Sequence, residues 1–385
     1  MHVAGFARSQ VASITAAISC VAAVGIGLSL SIPLLSIEMQ RLGISNKLIG
    51  INTAIAGLAS MIVVPFVPRL AQRYGLLPLL WAAVLTGPVT MILFRIIYDF
   101  VAWFPLRFAF SAALGILFVL SEYWITAAAP AGHRGLVMGI YATVLAIGLA
   151  VGPLLLAAVG TEGWLPYLLG TALFALAIIP LSLARNLSPA IEPGSGPGIR
   201  SLVRAAPIAT FAALVFGAME TSAYALLPVY GIEVGLDAAD AALLLSAVAL
   251  GNVGLQIPIG LLADRVDQRL ILLACTACSA AGAALIPLIR DMTGLMLLMF
   301  AWGGLSGALY TIGLAHLGAR FTGAALVSAN AAFVFLYNVG LTAGPPIVGA
   351  GMDLVPPYGF ALVLSGFGVA YAILILARLR AAASS

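Results

Sequence analysis

The sequence predicts an all-α integral membrane protein with twelve transmembrane helices in two six-helix bundles that repeat one another. Its 385 residues are 63% hydrophobic and 8% charged, whereas soluble domains are about 45–50% apolar and about 25% charged. Uncharged apolar runs of about 20 residues recur along the whole chain, and each is long enough to cross a bilayer as a helix. This composition excludes a soluble protein, and in such a chain the net charge of +4 does not indicate a nucleic-acid partner.

Twelve apolar runs define the predicted helices 1 to 12 in chain order. The first is too long for the apolar region of a signal peptide and lacks a cleavage site, so we interpret it as helix 1. The runs cover residues 10–37, 46–68, 76–97, 100–128, 135–159, 164–184, 205–232, 238–261, 270–289, 294–318, 324–349 and 358–379.

Positive charge collects on alternate loops. Of the 17 Lys and Arg residues, Arg107 lies within a predicted span, and only four fall outside if the N-terminus is cytoplasmic: Arg41, Lys47, Arg95 and Arg290. Twelve fall inside: Arg8, Arg69, Arg73, Arg134, Arg185, Arg200, Arg204, Arg265, Arg269, Arg320, Arg378 and Arg380. Most acidic loop residues, Glu233 and Asp353 among them, lie outside. The bias predicts a multi-pass membrane protein with both termini in the cytoplasm.

The chain also repeats itself at a shift of 192 residues. This shift places Gly148, Gly152 and Pro153 on Gly340, Gly344 and Pro345, which we interpret as helix-packing motifs. A Pro-, Gly- and Ser-rich stretch, "NLSPAIEPGSGPGIRS", reads as a flexible linker. The sequence therefore predicts an N-terminal bundle, a cytoplasmic linker and a C-terminal bundle at 1–185, 186–204 and 205–385, an architecture typical of secondary transporters.

The string "GLLADRVDQR" between helices 8 and 9 concentrates charge between two uncharged runs. We expect Gly260 to let helix 8 approach a neighbour closely. Asp264 can accept hydrogen bonds from a helix N-terminus or pair with an arginine. The alternative is a solvated loop with ordinary positive-inside charge. The gating candidates are Gly260, Asp264, Arg265 and Arg269, with Gln72 and Arg73 from "PRLAQR" in the first half.

These motifs resemble those of the major facilitator superfamily. "GLLADRVDQR" is similar to its cytoplasmic signature loop, and "RFAFSAALG" at 107–115 to its helix-4 motif. "GIYATVLAIGLAVGP" at 139–153 resembles the helix-5 motif of proton-linked exporters, although its terminal glycine pair is missing. "SEYW", "HRGLVMGIY" and "YTIGLAH" are most similar to the YcaD-type bacterial subgroup. The resemblance implies alternating access, with the signature loop latching the two halves on the cytoplasmic face.

Few charged side chains lie within the predicted spans. Each costs at least about 2.5–3.5 kcal/mol at bilayer depth and is a functional candidate for that reason. Glu220 is the deepest, and helical spacing puts it on one face with Gly217 and Tyr224. We predict Glu220 as the proton carrier, and Glu122 is the second choice. Arg107 is predicted to be the partner of Glu220 or an anchor for the substrate.

Each of these residues has a structural alternative. Glu220 and Arg107 could form a static buried ion pair, and Glu122 could be hydrated near the cytoplasm. His316 could bond a neighbouring helix rather than carry a proton. The substrate-cavity candidates are Arg107, Tyr224, Asn330, Tyr337, Trp302 and His316, of which Asn330 and Tyr337 share a helical face and Trp302 could stack a substrate or pack.

No cofactor or metal is predicted. Cys275 and Cys278 have the spacing of a zinc or redox pair, but they lie in mid-helix without further ligands nearby. No ATPase motif appears, so an ion gradient or the substrate's own gradient must supply the energy. We expect a monomer whose partners are a small-molecule substrate, protons and the lipid bilayer, with no nucleic acid.

Together these features predict a secondary transporter that moves a small organic solute by alternating access, coupled to protons and with export favoured. A proton-coupled importer or a uniporter is the alternative within transport, and a membrane receptor or scaffold is the alternative outside it. A membrane enzyme is not favoured, because the spans contain no nucleophile–base pair and no metal set.

The charge asymmetry generates a topology prediction. Reporter fusions at Ala190 and Asp267 should both be cytoplasmic, and a fusion at Asp237 should be periplasmic, because positive loops stay inside. Alkaline phosphatase and green fluorescent protein fusions measure the two sides. A periplasmic Asp267 would overturn the twelve-helix topology.

Overall fold

A computed structural model confirms the predicted fold class. All the regular secondary structure that it contains in the residues described is helical. Twelve of these helices are long and apolar enough to cross a membrane, which matches the twelve predicted runs. The structure describes residues 8–129, 134–184, 186–187, 206–263, 265–321 and 323–383.

The first six spanning helices lie between Arg8 and Leu183. Helix 2 and helix 6 each continue beyond a local irregularity, helix 2 through a short 3₁₀ turn. The bounds are helix 1 Arg8–Arg41, helix 2 Asn46–Val63 with Val67–Tyr74, helix 3 Leu76–Ile96, helix 4 Trp103–Ala128, helix 5 Arg134–Val159, and helix 6 Leu165–Leu176 with Ile178–Leu183.

The second six helices follow the same order of long helices and short loops. Helix 9 ends in a 3₁₀ turn over Ile286–Leu288. The bounds are helix 7 Pro207–Glu233, helix 8 Ala238–Ala263, helix 9 Gln268–Leu285, helix 10 Met292–Arg320, helix 11 Gly323–Leu354, and helix 12 Gly359–Ala383.

Loop aspartates begin several of these helices. Asp237 accepts a hydrogen bond from the Asp240 amide at 2.7 Å at the start of helix 8, and Asp291 accepts one from the Gly294 amide at 2.6 Å at the start of helix 10. The first amides of a helix lack an intrahelical acceptor, so these carboxylates satisfy groups that would otherwise be unpaired. Part of the acidic bias on the predicted outer side therefore has a structural cause.

The chain divides into two compact units. The first unit contains Met1–Leu35 and Leu58–Pro193, and the second contains Ser36–Gly57 and Gly194–Ser385. Most of the predicted linker, residues 186–204, lies outside the described residues.

In the first unit, helix 5 packs against helix 1 through glycine. A Cβ added to Gly148 would lie 3.1 Å from the Cα of Gly25, and one on Gly152 would meet the backbone of helix 1 at Leu30 at 2.6 Å. The Ser29 hydroxyl donates to the Gly148 carbonyl at 2.8 Å. Lipid supplies no hydrophobic force between helices, so such backbone approach is what holds them together.

In the second unit, helix 11 packs against helix 7 in the same way. A Cβ on Gly340 would meet the Ala218 amide nitrogen at 2.8 Å, and one on Gly344 would meet the Ala218 Cα at 2.6 Å. Helix 8 also packs on helix 10, and helix 9 on helix 12. Glycines related by the 192-residue shift thus make equivalent contacts in helix pairs 1–5 and 7–11. Pro153 and Pro345 lie inside helices 5 and 11.

Candidate functional site

Glu220 lies midway along helix 7 and is hydrogen-bonded to helix 11. The Tyr337 hydroxyl donates to Glu220 Oε2 at 2.6 Å. This distance is within the short range typical of hydroxyl donors on carboxylates. The side chain of Glu220 is partly exposed rather than sealed in the core. The deepest carboxyl group predicted from the sequence therefore has a tyrosine as its partner.

A glycine on helix 7 makes this contact possible. A Cβ on Gly217, almost one turn before Glu220, would lie 3.0 Å from Cδ2 of Tyr337 and closer still to the Tyr337 carbonyl oxygen. Any larger residue there would push helix 11 away. Gly217 thus sets the distance across which Tyr337 reaches the carboxyl group.

Aromatic rings surround the Tyr337 side of the site. The Tyr337 ring stacks on Phe216 with centroids 5.9 Å apart, and it meets the edge of Tyr310 at 5.5 Å. Tyr310 packs on Phe333 at 5.0 Å. Rings in these arrangements attract one another beyond simple burial, so the cluster holds the Tyr337 hydroxyl in one direction and gives the carboxyl group an apolar flank.

The other cavity candidates of the second unit lie in different surroundings. Tyr224 is buried one turn beyond Glu220 and interacts with it electrostatically. Trp302 is buried beside Gly282 of helix 9, with Cδ1 3.6 Å from where a Cβ would lie. His316 is buried near the helix end, and Asn330 is exposed. Only Tyr224 and Tyr337 of these candidates are shown beside Glu220.

Buried nitrogen atoms of Trp302 and His316 have no hydrogen-bond partner among the described residues, namely Trp302 Nε1 and His316 Nε2. His316 interacts electrostatically with Arg320, Arg269 and Asp267. His316 therefore lies within electrostatic range of the charged loop that precedes helix 9. Its alternative role, a structural contact with a neighbouring element, would involve this loop.

Arg107 is a buried cation in the first unit. Its side chain is 2% exposed, and Nε and Nη2 have no hydrogen-bond partner within the residues that the structure describes. An uncompensated guanidinium is costly in a protein interior, and more so within a membrane. Among the described residues, no group accepts a hydrogen bond from these two nitrogen atoms of Arg107.

Glu122 occupies the opposite kind of environment on the same helix. Its side chain is exposed, whereas the neighbouring Ser121 is buried and lies 3.1 Å from the Tyr141 hydroxyl. Trp124 donates to the Ser13 hydroxyl at 2.6 Å. These bonds between helices 1, 4 and 5 were not expected from the sequence, because the periodicity of each helix does not show which helices are neighbours in space.

The charged loop after helix 8 is only partly described. Asp264 lies outside the described residues. A Cβ on Gly260 would meet none of the described residues within 4 Å, so the close helix approach expected at Gly260 is wrong for the part of the chain that the structure describes. Asp267 accepts a hydrogen bond from the Arg269 amide at 2.8 Å and begins helix 9. In the first-half copy, Gln72 and Arg73 are exposed, and the Arg73 guanidinium lies 5.3 Å from the Tyr74 ring centre.

A profile of the Major Facilitator Superfamily matches residues 17–239 and 208–385. The chain belongs to the major facilitator superfamily. It is a multi-pass membrane protein and a secondary transporter, and this family is not enzymatic.

Two bacterial relatives support the predicted subgroup. The MFS-type transporter YcaD of Escherichia fergusonii is 24% identical over 313 residues, which are 80% of this chain and 79% of that protein. The MFS-type transporter YfkF of Bacillus subtilis is 24% identical over 258 residues. The second match covers 65% of this chain and spans 65% of the relative's own length. The resemblance to the YcaD-type subgroup is thereby confirmed.

Solved transporters share the fold. The nucleoside transporter NupG superposes with a TM-score of 0.76 at 14% identity, covering 96% of this chain and 99% of that one. A D-xylose–proton symporter gives a TM-score of 0.68 at 15% identity, with 95% and 97% covered. At these identities the likeness concerns the fold alone.

The Glu220–Tyr337 contact generates a stability prediction. Tyr337→Phe keeps the ring in its cluster but removes the donor to Glu220, so we expect a loss of about 1–2 kcal/mol, near the upper end for interhelical hydrogen bonds in membranes. Thermal unfolding of the purified protein measures it. Tyr74→Phe, at an exposed tyrosine, is the control, and equal melting temperatures for the two variants would contradict the bond.

Proposed function

We propose that this transporter exports a small, amphipathic organic molecule from the cytoplasm in exchange for protons, across the bacterial inner membrane and with both termini cytoplasmic. The observation that carries the proposal is the hydrogen bond between Glu220 in mid-helix 7 and Tyr337. A carboxyl group at this depth is the kind of side chain that proton-coupled membrane proteins use.

The surroundings of Glu220 suit a group that changes protonation. A hydrogen bond donated to a carboxylate favours its charged form, and an apolar environment favours its neutral form. Tyr337 supplies the first influence and the flanking ring of Phe216 supplies the second. If the Tyr337 contact forms in only one conformation, proton binding favours the other conformation, and coupling needs nothing more.

Arg107 is the proposed anchor for the substrate. Its guanidinium is buried and its Nε and Nη2 atoms are unpartnered among the described residues, so an acidic or hydrogen-bond-accepting substrate group would satisfy it. Arginine presents several donors in a fixed fork that suits such groups. Considered separately in the second unit, Tyr224 and the Tyr337 cluster are proposed as apolar and aromatic surface for an amphipathic substrate.

The preference for export rests on the helix-5 resemblance to proton-linked exporters in residues 139–153. Few polar side chains lie within the spans, which also suits an amphipathic substrate better than a sugar. The charged loop at 260–269 is proposed to latch the cytoplasmic side, and Arg265 and Arg269 are the gating candidates of this loop whose side chains are described.

The experiment begins with the substrate. A screen of small molecules for thermal stabilisation of the purified protein selects ligands, because a ligand that binds only the folded state raises its stability. Proteoliposomes with an imposed pH gradient then measure uptake of the selected ligand.

In that assay, Glu220→Gln should bind and exchange the ligand but lose accumulation driven by the pH gradient, because glutamine cannot release a proton. Glu162→Gln, at an exposed loop carboxylate, is the matched control and should behave as the parent. If Glu220→Gln is still driven and Glu122→Gln is not, Glu122 is the carrier. If both are still driven, proton coupling at either carboxylate is wrong.

A further inference from the structure

The corner segment, residues 36–57, contains the end of helix 1, the connecting turn and the first part of helix 2. It clusters with the second unit, whereas the other parts of helices 1 and 2 cluster with the first. The hydrogen bonds that join its turn to helices 7 and 11 lie on the side predicted to be periplasmic. Sequence reasoning treated the charged residues here only as topological signals.

Asp353, one residue before the end of helix 11, binds the N-terminus of helix 2. Its Oδ1 accepts a hydrogen bond from the Asn46 amide at 3.0 Å, and its Oδ2 accepts one from the Lys47 amide at 2.9 Å. The first amides of a helix have no intrahelical acceptor, and a negative charge is favourable there. Asp353 therefore caps helix 2 from a helix about 300 positions away.

Asn46 connects this cap to helix 7. Its side-chain amide donates to Glu233 Oε1 at 2.8 Å, and Glu233 is the last residue of helix 7. Asn46 is buried, whereas Glu233 and Asp353 remain exposed. One residue of the corner segment is thus held by two carboxylates on two helices, and we call Asn46, Glu233 and Asp353 the outer latch.

Glycines below the outer latch bring the backbones of helices 2 and 11 together. A Cβ on Gly50 would lie 2.8 Å from the Pro346 nitrogen, and one on Gly349 would lie 2.9 Å from the Lys47 nitrogen. A Cβ on Gly57 would lie 3.1 Å from the Asn338 carbonyl oxygen. Helix 2 therefore follows helix 11 from Gly57 to the outer latch.

These contacts are of a kind that can separate and re-form. Both carboxylates are exposed, so water can replace their partners when the segments part, and the net cost of exchanging such bonds is modest. Glycine-to-backbone contacts need no side-chain rearrangement to open.

We propose that Asp353 and Glu233 are gating residues that hold the predicted periplasmic side closed by binding the start of helix 2, and that release of the outer latch opens it. This inference rests on the proposed transport by alternating access, but it does not depend on the proton carrier or on the substrate.

The test measures distances in the full chain in lipid bilayers without any ligand. Spin labels at Leu42 in the corner segment and Val355 after helix 11 are both on exposed positions, in a background whose three native cysteines are replaced. Asp353→Ala should lower the ratio of docked to undocked populations roughly 2- to 30-fold, the range expected for loss of a helix N-cap. Circular dichroism should stay unchanged, because the helices themselves are intact.

The matched control is Asp291→Ala, which removes a carboxylate that caps its own helix on the same predicted side. It should leave the distance distribution at its parent form. Identical distance distributions for Asp353→Ala and Asp291→Ala would contradict the proposal that Asp353 is a gating residue.

A second pair of variants leaves the charges untouched, and it decides the question if Asp353→Ala does not fold. Gly50→Ala should push the corner segment off helix 11 and shift the distances in the same direction, whereas Gly366→Ala, in a helical position with open space around it, should not. Equal distributions within this pair also overturn the proposal. These distance measurements use neither a substrate nor a proton gradient. They therefore test the outer latch even if Glu220 is not the proton carrier.

Discussion

The close approach of helix 11 to helix 7 is the contact on which the second unit depends. Gly340 and Gly344 of helix 11 face backbone atoms of helix 7, and Gly217 of helix 7 faces Tyr337. Lipid gives no hydrophobic reward for bringing two apolar helices together, so this approach depends on small residues and interhelical bonds. The same approach brings the Tyr337 hydroxyl to Glu220, so one packing constraint creates the candidate proton site.

Helix 11 makes two polar contacts that are far apart along its length. Tyr337 binds Glu220 near the middle, and Asp353 binds the start of helix 2 near the end. Sixteen residues separate them, about 24 Å along a helix. Because one helix carries both contacts, a movement that breaks one contact is expected to act on the other. Pro345 and Pro346 lie between the two contacts, and a proline has no backbone N–H to donate within the helix.

The sequence predicted much of this arrangement for physical reasons. Charge bias and apolar runs defined the twelve helices, and the depth of Glu220 in an uncharged run marked it as a candidate. Spacing also placed Tyr337 among the cavity residues, but it associated Tyr337 with Asn330, which is exposed. The partner of Tyr337 depends on which helices are neighbours in space, and periodicity along one helix contains no such information.

The outer latch was missed for the same reason. Glu233 and Asp353 look like ordinary loop acids, and only the fold reveals that both lie beside Asn46. Gly260 shows the opposite error, since a familiar motif suggested close packing where the structure has open space. Sequence motifs thus located the charged and small residues, while their contacts depended on tertiary packing.

An infrared titration of the Glu220 carboxyl group is the most direct test of its role as a proton carrier. Difference spectra of the lipid-embedded protein across a range of pH, with Glu220→Gln as the subtraction reference, isolate the Glu220 band. We expect a protonated carboxyl band that disappears as the pH rises and that shifts in Tyr337→Phe, because the hydroxyl donor is lost. A Glu220 that remains ionised at every pH at which the protein is folded would contradict its role as a proton carrier.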